Sequence, residues 1–312
     1  MITTVTLNPC IDRMVTVERF IYGGLNRIID SRMDAAGKGI NVAVALHQLG
    51  EKAFCTGINY TERGHMIREL LDRAGIPYDF VEVEGEVRVN LKVFDLSQGV
   101  VTEINESGHP VSPQHIQELM DKIDIYAAKS SMMVFSGSVP RGVPTSIYKD
   151  LMEQANRHGI MCVLDAEGEL LLEGLKAQPY MIKPNLYELE KAVGKTLTTH
   201  GEIVRAARRF IERGVRIVGV SMGSRGAMII DENETYYAHP IAVEVKGTAG
   251  AGDSMVAGFC LALKEGAGLE DMLRYGVAAA TASVMREGTL LCTRDGFESM
   301  LPRVEIEKVS DF

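Results

Sequence analysis

Short apolar runs and longer amphipathic stretches alternate along most of the chain. Residues 2–7 form a β-branched, strand-like run, and residues 40–49 carry apolar positions at helical spacing up to Gly50. The pair recurs. A strand-like run at 53–58 precedes a helical pattern at 63–74 that Gly75 stops, and a run at 132–136 leads through a Gly/Pro loop to a helix over about 145–158. Further strands are predicted at 161–165, 180–183 and 215–221, with a helix at 203–213 before the last. Runs at 227–231 and 235–239 flank Glu232-Asn233 and predict a hairpin; helices at 252–264 and 269–286 close the pattern. Strands alternating with helices predict a mostly parallel sheet covered on both faces.

Two stretches break the alternation. Residues 14–33 show β-like patterning with no following helix, and residues 87–103 do the same, with Ser97-Gln98-Gly99 as a turn. Together they can build a small sheet that acts as a lid over a cleft. The same pattern also fits plain antiparallel edge strands.

Composition narrows the function classes. The 312 residues are 46% apolar, enough for a substantial core, and carry a net charge of −9. That balance argues against bulk electrostatic grip on nucleic acid or on anionic membranes. Five cysteines, Cys10, Cys55, Cys162, Cys260 and Cys292, show no CxxC spacing, so neither a disulfide framework nor a zinc site is expected. The opening run does not read as a signal peptide, and no apolar stretch is long enough for a membrane span. A cytoplasmic protein is expected.

In an open parallel sheet, ligands sit beyond the carboxyl ends of the strands. Gly247-Thr248-Ala249-Gly250-Ala251-Gly252-Asp253-Ser254 precedes a strong helix and has the spacing of a phosphate-binding loop, with Asp where the Lys belongs. Its glycines let backbone N–H groups converge, and the helix start favours an anion. A carboxylate cannot clamp a phosphate, but it can take a proton from a hydroxyl. Anion hole plus base is what phosphoryl transfer to an alcohol needs. Capping of the helix would explain Asp253 but not the glycines.

Other strand-end segments are individually weaker. Gly37-Lys38-Gly39-Ile40-Asn41 enters a helix and lets backbone approach a ligand, with Lys38 as a charge and Asn41 within reach of a sugar hydroxyl; a structural turn fits as well. Asn185 and Glu188 lie one helical turn apart and can hold water around Mg²⁺, although an N-cap with a capping-box Glu satisfies the same spacing. Ser221-Met222-Gly223-Ser224-Arg225-Gly226 makes a turn that can pass under a nucleotide, and Ser136-Gly137-Ser138 ends a strand with hydroxyls. Arg88, Asn90 and Lys92 alternate by two and share one face of the lid strand. One cleft would gather these loops, and their convergence outweighs any single motif.

Taken in order, Asn8-Pro9-Cys10-Ile11-Asp12, Gly37-Lys38-Gly39-Ile40-Asn41, Ser136-Gly137-Ser138, Lys183-Pro184-Asn185 with Glu188, Ser221/Gly223/Gly226 and Gly250-Ala251-Gly252-Asp253-Ser254 resemble the PfkB/ribokinase family of sugar kinases over nearly the whole chain. The opening segment and Gly37–Asn41 are similar to its phosphosugar-kinase branch. The resemblance implies a ribokinase-like three-layer α/β/α core, with a mostly parallel sheet and a small β-sheet lid from segments about 12–34 and 86–105. It implies one kinase domain over 1–312, ATP and Mg²⁺ as cofactors, and a homodimer formed through the lid. Asp253 matches the catalytic base, and Gly250, Ala251 and Gly252 the anion hole. Asp12, Arg27, Gly37, Lys38, Gly39, Asn41, Arg88, Asn90, Ser136 and Ser138 match the acceptor side. Lys183, Asn185, Ser221, Gly223, Gly226, Thr248, Gly250, Gly252 and Ser283 match the nucleotide side, and Asn185 and Glu188 the metal motif. The chain departs from the family at Ala36, where Gly is usual, and at Ala166-Glu167, where small hydroxyl residues are usual.

The expected reaction is in-line transfer from ATP to a ketohexose phosphate, fructose 1-phosphate first, with tagatose 6-phosphate and fructose 6-phosphate as alternatives. Lys38 and Arg88 are expected to hold the acceptor's own phosphate. The helix dipole is expected to lower the pKa of Asp253. Rival readings are a non-catalytic sugar-phosphate or nucleotide sensor, a dinucleotide-dependent oxidoreductase, disfavoured because Val42 stands where a third glycine belongs, and a kinase of unphosphorylated sugars or nucleosides.

Overall fold

The computed structural model describes residues 1–309. The chain opens with β1 (Ile2–Thr6), then leaves the main sheet for β2 (Cys10–Val17) and β3 (Asp30–Ala36). It returns through α1 (Lys38–Gln48), β4 (Ala53–Glu62), α2 (Gly64–Ala74) and β5 (Tyr78–Glu86), and leaves again for β6 (Arg88–Asp95) and β7 (Val100–Ile104). The regular alternation follows: α3 (Pro113–Ala127), β8 (Met132–Ser136), α4 (Ile147–Asn156), β9 (Met161–Asp165), α5 (Gly168–Gly174), β10 (Met181–Ile182), α6 (Leu186–Val193), α7 (His200–Ile211) and β11 (Ile217–Ser221). The hairpin β12 (Ala227–Ile230) and β13 (Thr235–Ala238) leads to α8 (Ala251–Glu265), α9 (Leu269–Val284), α10 (Arg294–Met300) and β14 (Ile306–Lys308).

Among the described residues the main sheet has 10 strands in the order β14-β13-β12-β11-β10-β9-β8-β1-β4-β5, and the second has four, β3-β2-β6-β7. From β11 to β5 every neighbour is parallel, and β12 to β14 close one edge antiparallel. The central strands are buried on both faces: every residue of β1 and β8 is buried, the threonines of β1 included. Strands buried on both faces need a helical layer on each side. Helices α1, α8 and α9 pack together in one layer, and α3 to α7 pack in sequence in the other. No helix among the described residues is long and apolar enough to cross a membrane. All five cysteines are free and buried.

The small sheet is the predicted lid. Strands β2 and β3 form its antiparallel hairpin, and β6 joins β2 in parallel. The two excursions leave the core over very short joints: Gly37 alone separates β3 from α1, and buried Val87 alone separates β5 from β6. The lid is therefore anchored at its Cys10–Ala36–Arg88 end, while residues 18–29 connect β2 to β3 at the other end. Ala36 sits in β3 opposite Cys10 with no positive φ, so this strand position accommodates the methyl group.

Candidate active site

Register explains why the polar residues meet. Thr6 pairs with Ser136 and Ser136 with Asp165, so β1, β8 and β9 end level. Ile182 pairs with Leu164, which brings the next residue, Lys183, beside Asp165. Lys183 Nζ lies 3.4 Å from Asp165 Oδ1, and Lys38 Nζ, entering from the first turn of α1, lies 3.4 Å from Oδ2. Asp165 is buried, yet the two ammonium groups outweigh the burial and hold its carboxyl below the usual range. Burial disfavours the charge on Lys38, but Asp165, Asp253 and Glu188 together raise its pKa.

The start of α8 faces this pair. Gly250 is the N-cap, in a left-handed conformation with φ 76°, and a side chain there would drive into Leu291. A methyl group on Gly252 would lie 3.5 Å from Lys183 Nζ, so Lys183 stands against the glycine loop. The cation absent from the loop's own sequence is thus supplied by β10's end. Asp253 sits at the third helical position, and no side-chain bond caps the helix. Its Oδ2 instead accepts from Asn41 Nδ2 at 2.7 Å, tying the starts of α8 and α1 together. Capping does not account for this carboxylate.

The expected lowering of the Asp253 pKa is corrected by the structure. Burial, with Asp165 adding to it, pushes the carboxyl up to about 6, against the opposing pull of Lys38, Asn41 and Lys183. Loss of water around the charge outweighs the helix dipole. Asp253 is therefore a better base than the sequence suggested, and it is still mostly ionised at neutral pH.

Asn185 and Glu188 form the full capping box at α6: Glu188 N–H donates to Asn185 Oδ1 at 2.8 Å, and Asn185 N–H donates to Glu188 Oε2 at 2.8 Å. Glu188 Oε1 stays outside the box. Burial raises the Glu188 carboxyl, with Lys38 and Lys183 opposing. Among the described residues no group of three His, Cys, Asp or Glu side chains converges as a metal cage. Ser221 bridges to Asn185, Gly223 opens a short turn, and Gly226 backs onto β13. Thr248 is exposed in the glycine loop, and Ser283 lies buried at the end of α9, where the Val284 carbonyl accepts from Lys246 and Gly247.

On the lid side, Asp12 is buried, with Oδ1 accepting from Asn90 Nδ2 at 3.2 Å and Oδ2 2.7 Å from Lys92 Nζ. Arg88 donates to the Glu106 carbonyl at 2.9 Å and the Asn8 carbonyl at 3.2 Å. No carboxylate of the described residues forms an ion pair with it. Asn8 donates to Ser138 Oγ at 3.1 Å. Of the two cations expected to work together, Lys38 is paired with Asp165, whereas Arg88 forms no ion pair among the described residues. The close approach expected of Gly39 toward a ligand is instead made to β1, where a methyl group would meet Thr6 Oγ1 and Val5 O. Arg27 is not brought to the cluster. It lies exposed in the connection between β2 and β3, at the lid end away from the Gly37 joint.

Sequence reading missed Asp165 as a site residue, although a carboxylate closing an apolar strand was a visible signal. It also gave Asn8 no role of its own. Buried polar atoms without a hydrogen-bond partner concentrate here: both Asp165 oxygens, Ser136 Oγ, Asn8 Oδ1, Asn90 Oδ1, Arg88 Nε and Ser283 Oγ. Such groups are unusual in a core.

Comparison with known proteins identifies the family. The family model described as "pfkB family carbohydrate kinase" matches residues 5–295. A 1-phosphofructokinase from Borreliella burgdorferi is 33% identical over 310 residues, covering 99% of each chain. Phosphofructokinase-2 from Escherichia coli, solved in complex with potassium, superposes with a TM-score of 0.90 at 31% identity, over 97% of this chain and 98% of that one. A ribokinase from Thermotoga maritima reaches a TM-score of 0.81 at 24% identity, over 97% and 99%, and so shares the fold. With a three-layer ribokinase-like core, a lid sheet and a match over most of its length, the chain belongs to the pfkB family of carbohydrate kinases, phosphotransferases with an alcohol group as acceptor.

Proposed function

We propose that this protein transfers the γ-phosphoryl group of ATP to the free primary hydroxyl of a ketohexose phosphate, fructose 1-phosphate first, giving fructose 1,6-bisphosphate and ADP. The observation that carries the reading is the buried Asp253 carboxylate at the start of α8, held by Asn41 at 2.7 Å among Lys38, Lys183 and Asp165. The similarity to proteins named 1-phosphofructokinase supports the choice of acceptor.

Asp253 takes the acceptor's proton as the hydroxyl oxygen bonds to phosphorus. The amides of Ala251 and Gly252, with the Lys183 ammonium, face the charge on the transferring group. Asp12 and Asn90 read acceptor hydroxyls. Arg88 has no carboxylate partner among the described residues, and its buried Nε lacks an acceptor, so its charge suits the acceptor's own phosphate. Mg²⁺, when bound, neutralises charge on the phosphate oxygens. The donors fit a hard cation: Glu188 Oε1 lies outside the capping box, and Asn185 and Glu188 would hold the ion through that oxygen and water.

The lid presents Ile21, Tyr22, Leu25, Ile28, Ile29, Met33, Leu96, Val100, Val101 and Ile104 as exposed apolar side chains, with Arg27 in the same segment. Apolar area concentrated on one small sheet supports a homodimer formed through the lid. The substrates are water-soluble, which supports work in the cytoplasm.

A coupled assay of ADP release tests the reading, with fructose 1-phosphate, tagatose 6-phosphate, fructose 6-phosphate and fructose as acceptors. The expected result is the highest kcat/KM for fructose 1-phosphate and the lowest for unphosphorylated fructose. Preference for fructose would remove Arg88's assigned role, and silence with every acceptor would overturn the kinase reading.

A further inference from the structure

The polar face of β6 carries two cations, and their surroundings differ. Among the described residues Arg88 is tied only to carbonyl oxygens, whereas Lys92 is committed. Its ammonium sits 2.7 Å from Asp12 Oδ2, and each of the two side chains is 10% exposed. The pairing follows from register. Asp12 lies opposite Asn90 in the parallel β2–β6 pair, and Lys92, two residues further along β6, shares that face. Asn90 Nδ2 and Cys10 Sγ both address the other oxygen, Oδ1, at 3.2 and 3.6 Å. Burial opposes the charge on Lys92, but Asp12, with Glu103 opposite in β7, raises its pKa.

This arrangement fixes two acceptors at once. With Lys92 on Oδ2, the Asp12 carboxylate can turn neither away from Asn90 nor out of the lid face. Because Asn90 gives its Nδ2 to Asp12, its Oδ1 is left buried and without a partner. A carboxylate and an amide oxygen held side by side accept from neighbouring hydroxyls, which is what a sugar offers.

We propose that Lys92 is a positioning residue for acceptor recognition: it holds Asp12, and through Asp12 the Asn90 amide, in the orientation that reads the sugar's hydroxyls, and it does not itself hold the acceptor's phosphate. This rests on Asp12 and Asn90 being acceptor-side residues, as in the function proposed above. It also separates two lid cations that a sequence pattern treats alike.

The test is steady-state kinetics with fructose 1-phosphate and ATP on wild type, Lys92→Met, Lys92→Arg, and the same Lys92→Met change placed on Asp12→Ala. Lys92→Met is expected to raise the acceptor KM about tenfold or more while the ATP KM moves less than about twofold. Lys92→Arg keeps a cation on Asp12 and is expected to stay within about threefold of wild type. On the Asp12→Ala background, Lys92→Met is expected to change the acceptor KM by less than about twofold, because its target is gone. If Lys92→Met does not fold, Lys92→Gln, which keeps a donor, takes its place in the same comparison. Proportional rises in both KM values, or an unchanged acceptor KM with only a lower melting temperature, would overturn the proposal. So would an undiminished effect of Lys92→Met in the Asp12→Ala protein, which would place Lys92 on the substrate itself. A wild-type protein that phosphorylates none of the phosphosugars would instead remove the function on which the proposal rests.

Discussion

Asp253→Asn is expected to lower turnover with fructose 1-phosphate at least ~10²-fold while leaving ATP binding in place. The substitution keeps the shape of the side chain and an oxygen for Asn41 Nδ2, and it removes only the basic group. The same change is expected to make the protein more stable at alkaline pH. The folded-state carboxyl is pushed up to about 6 from an ordinary value of 3.8, so its proton stabilises the folded state below pH 3.8, and that stability is lost as pH rises through 6. At pH 8 the wild type bears a buried charge that the variant lacks, a burden on the order of 2–3 kcal/mol. Thermal melts at several pH values check this: the variant is expected to melt a few degrees higher at pH 8, with the gap closing toward pH 4. Equal turnover, or a variant less stable at every pH, contradicts the assignment.

Lys183→Met is the second large effect. Lys183 stands against Gly252 and 3.4 Å from Asp165, so one ammonium serves the anion loop and neutralises a buried carboxylate. Its loss removes a positioned charge facing the transferring phosphoryl group and is expected to cost ~10²–10³-fold in kcat/KM for ATP. Asp165 then depends on Lys38 alone, so a lower melting temperature is also expected. Initial rates at varied ATP and saturating acceptor check it. A kcat/KM for ATP within threefold of wild type would take Lys183 off the donor side. An equal loss for ATP and acceptor would point to general disruption of the cleft.

These two residues show what a sequence exposes and what it hides. The glycine loop before α8 reads directly, because close backbone approach at a helix start needs glycine whatever surrounds it. Strand ends read from their apolar runs, and the lid read from two alternating segments with no helix behind them. Strand β5 was not expected: Asp79, Glu82, Glu84 and Glu86 break up an apolar signal that an edge strand does not need. Helix α3 is not predicted either, although Ser112 as N-cap followed by Pro113 is a local start signal. Strand β14 is three residues long and exists only by pairing with β13.

The site's electrostatics were the least legible part. A helix start near Asp253 is visible in one dimension, so its dipole was weighed. The burial that overrides the dipole depends on neighbours far away in the chain: Asn41, Lys38, Asp165 and Lys183 reach it from α1, β9 and the end of β10. Lys38 and Arg88 likewise read alike as two cations for the acceptor's phosphate, but the fold gives Lys38 a carboxylate partner, Asp165, and gives Arg88 only carbonyl oxygens among the described residues. Composition cannot separate such cases, whereas strand order and register do.

The most direct test of Asp253 as the base is the pH dependence of kcat/KM for fructose 1-phosphate in wild type and in Asp253→Asn, measured under identical conditions. The acceptor's own phosphate titrates in both proteins, so the ratio of the two curves isolates the carboxylate. That ratio is expected to be flat at neutral pH and to fall about tenfold per pH unit once the pH drops below about 6. A ratio that stays constant from about pH 8 down to about pH 5 would contradict the account.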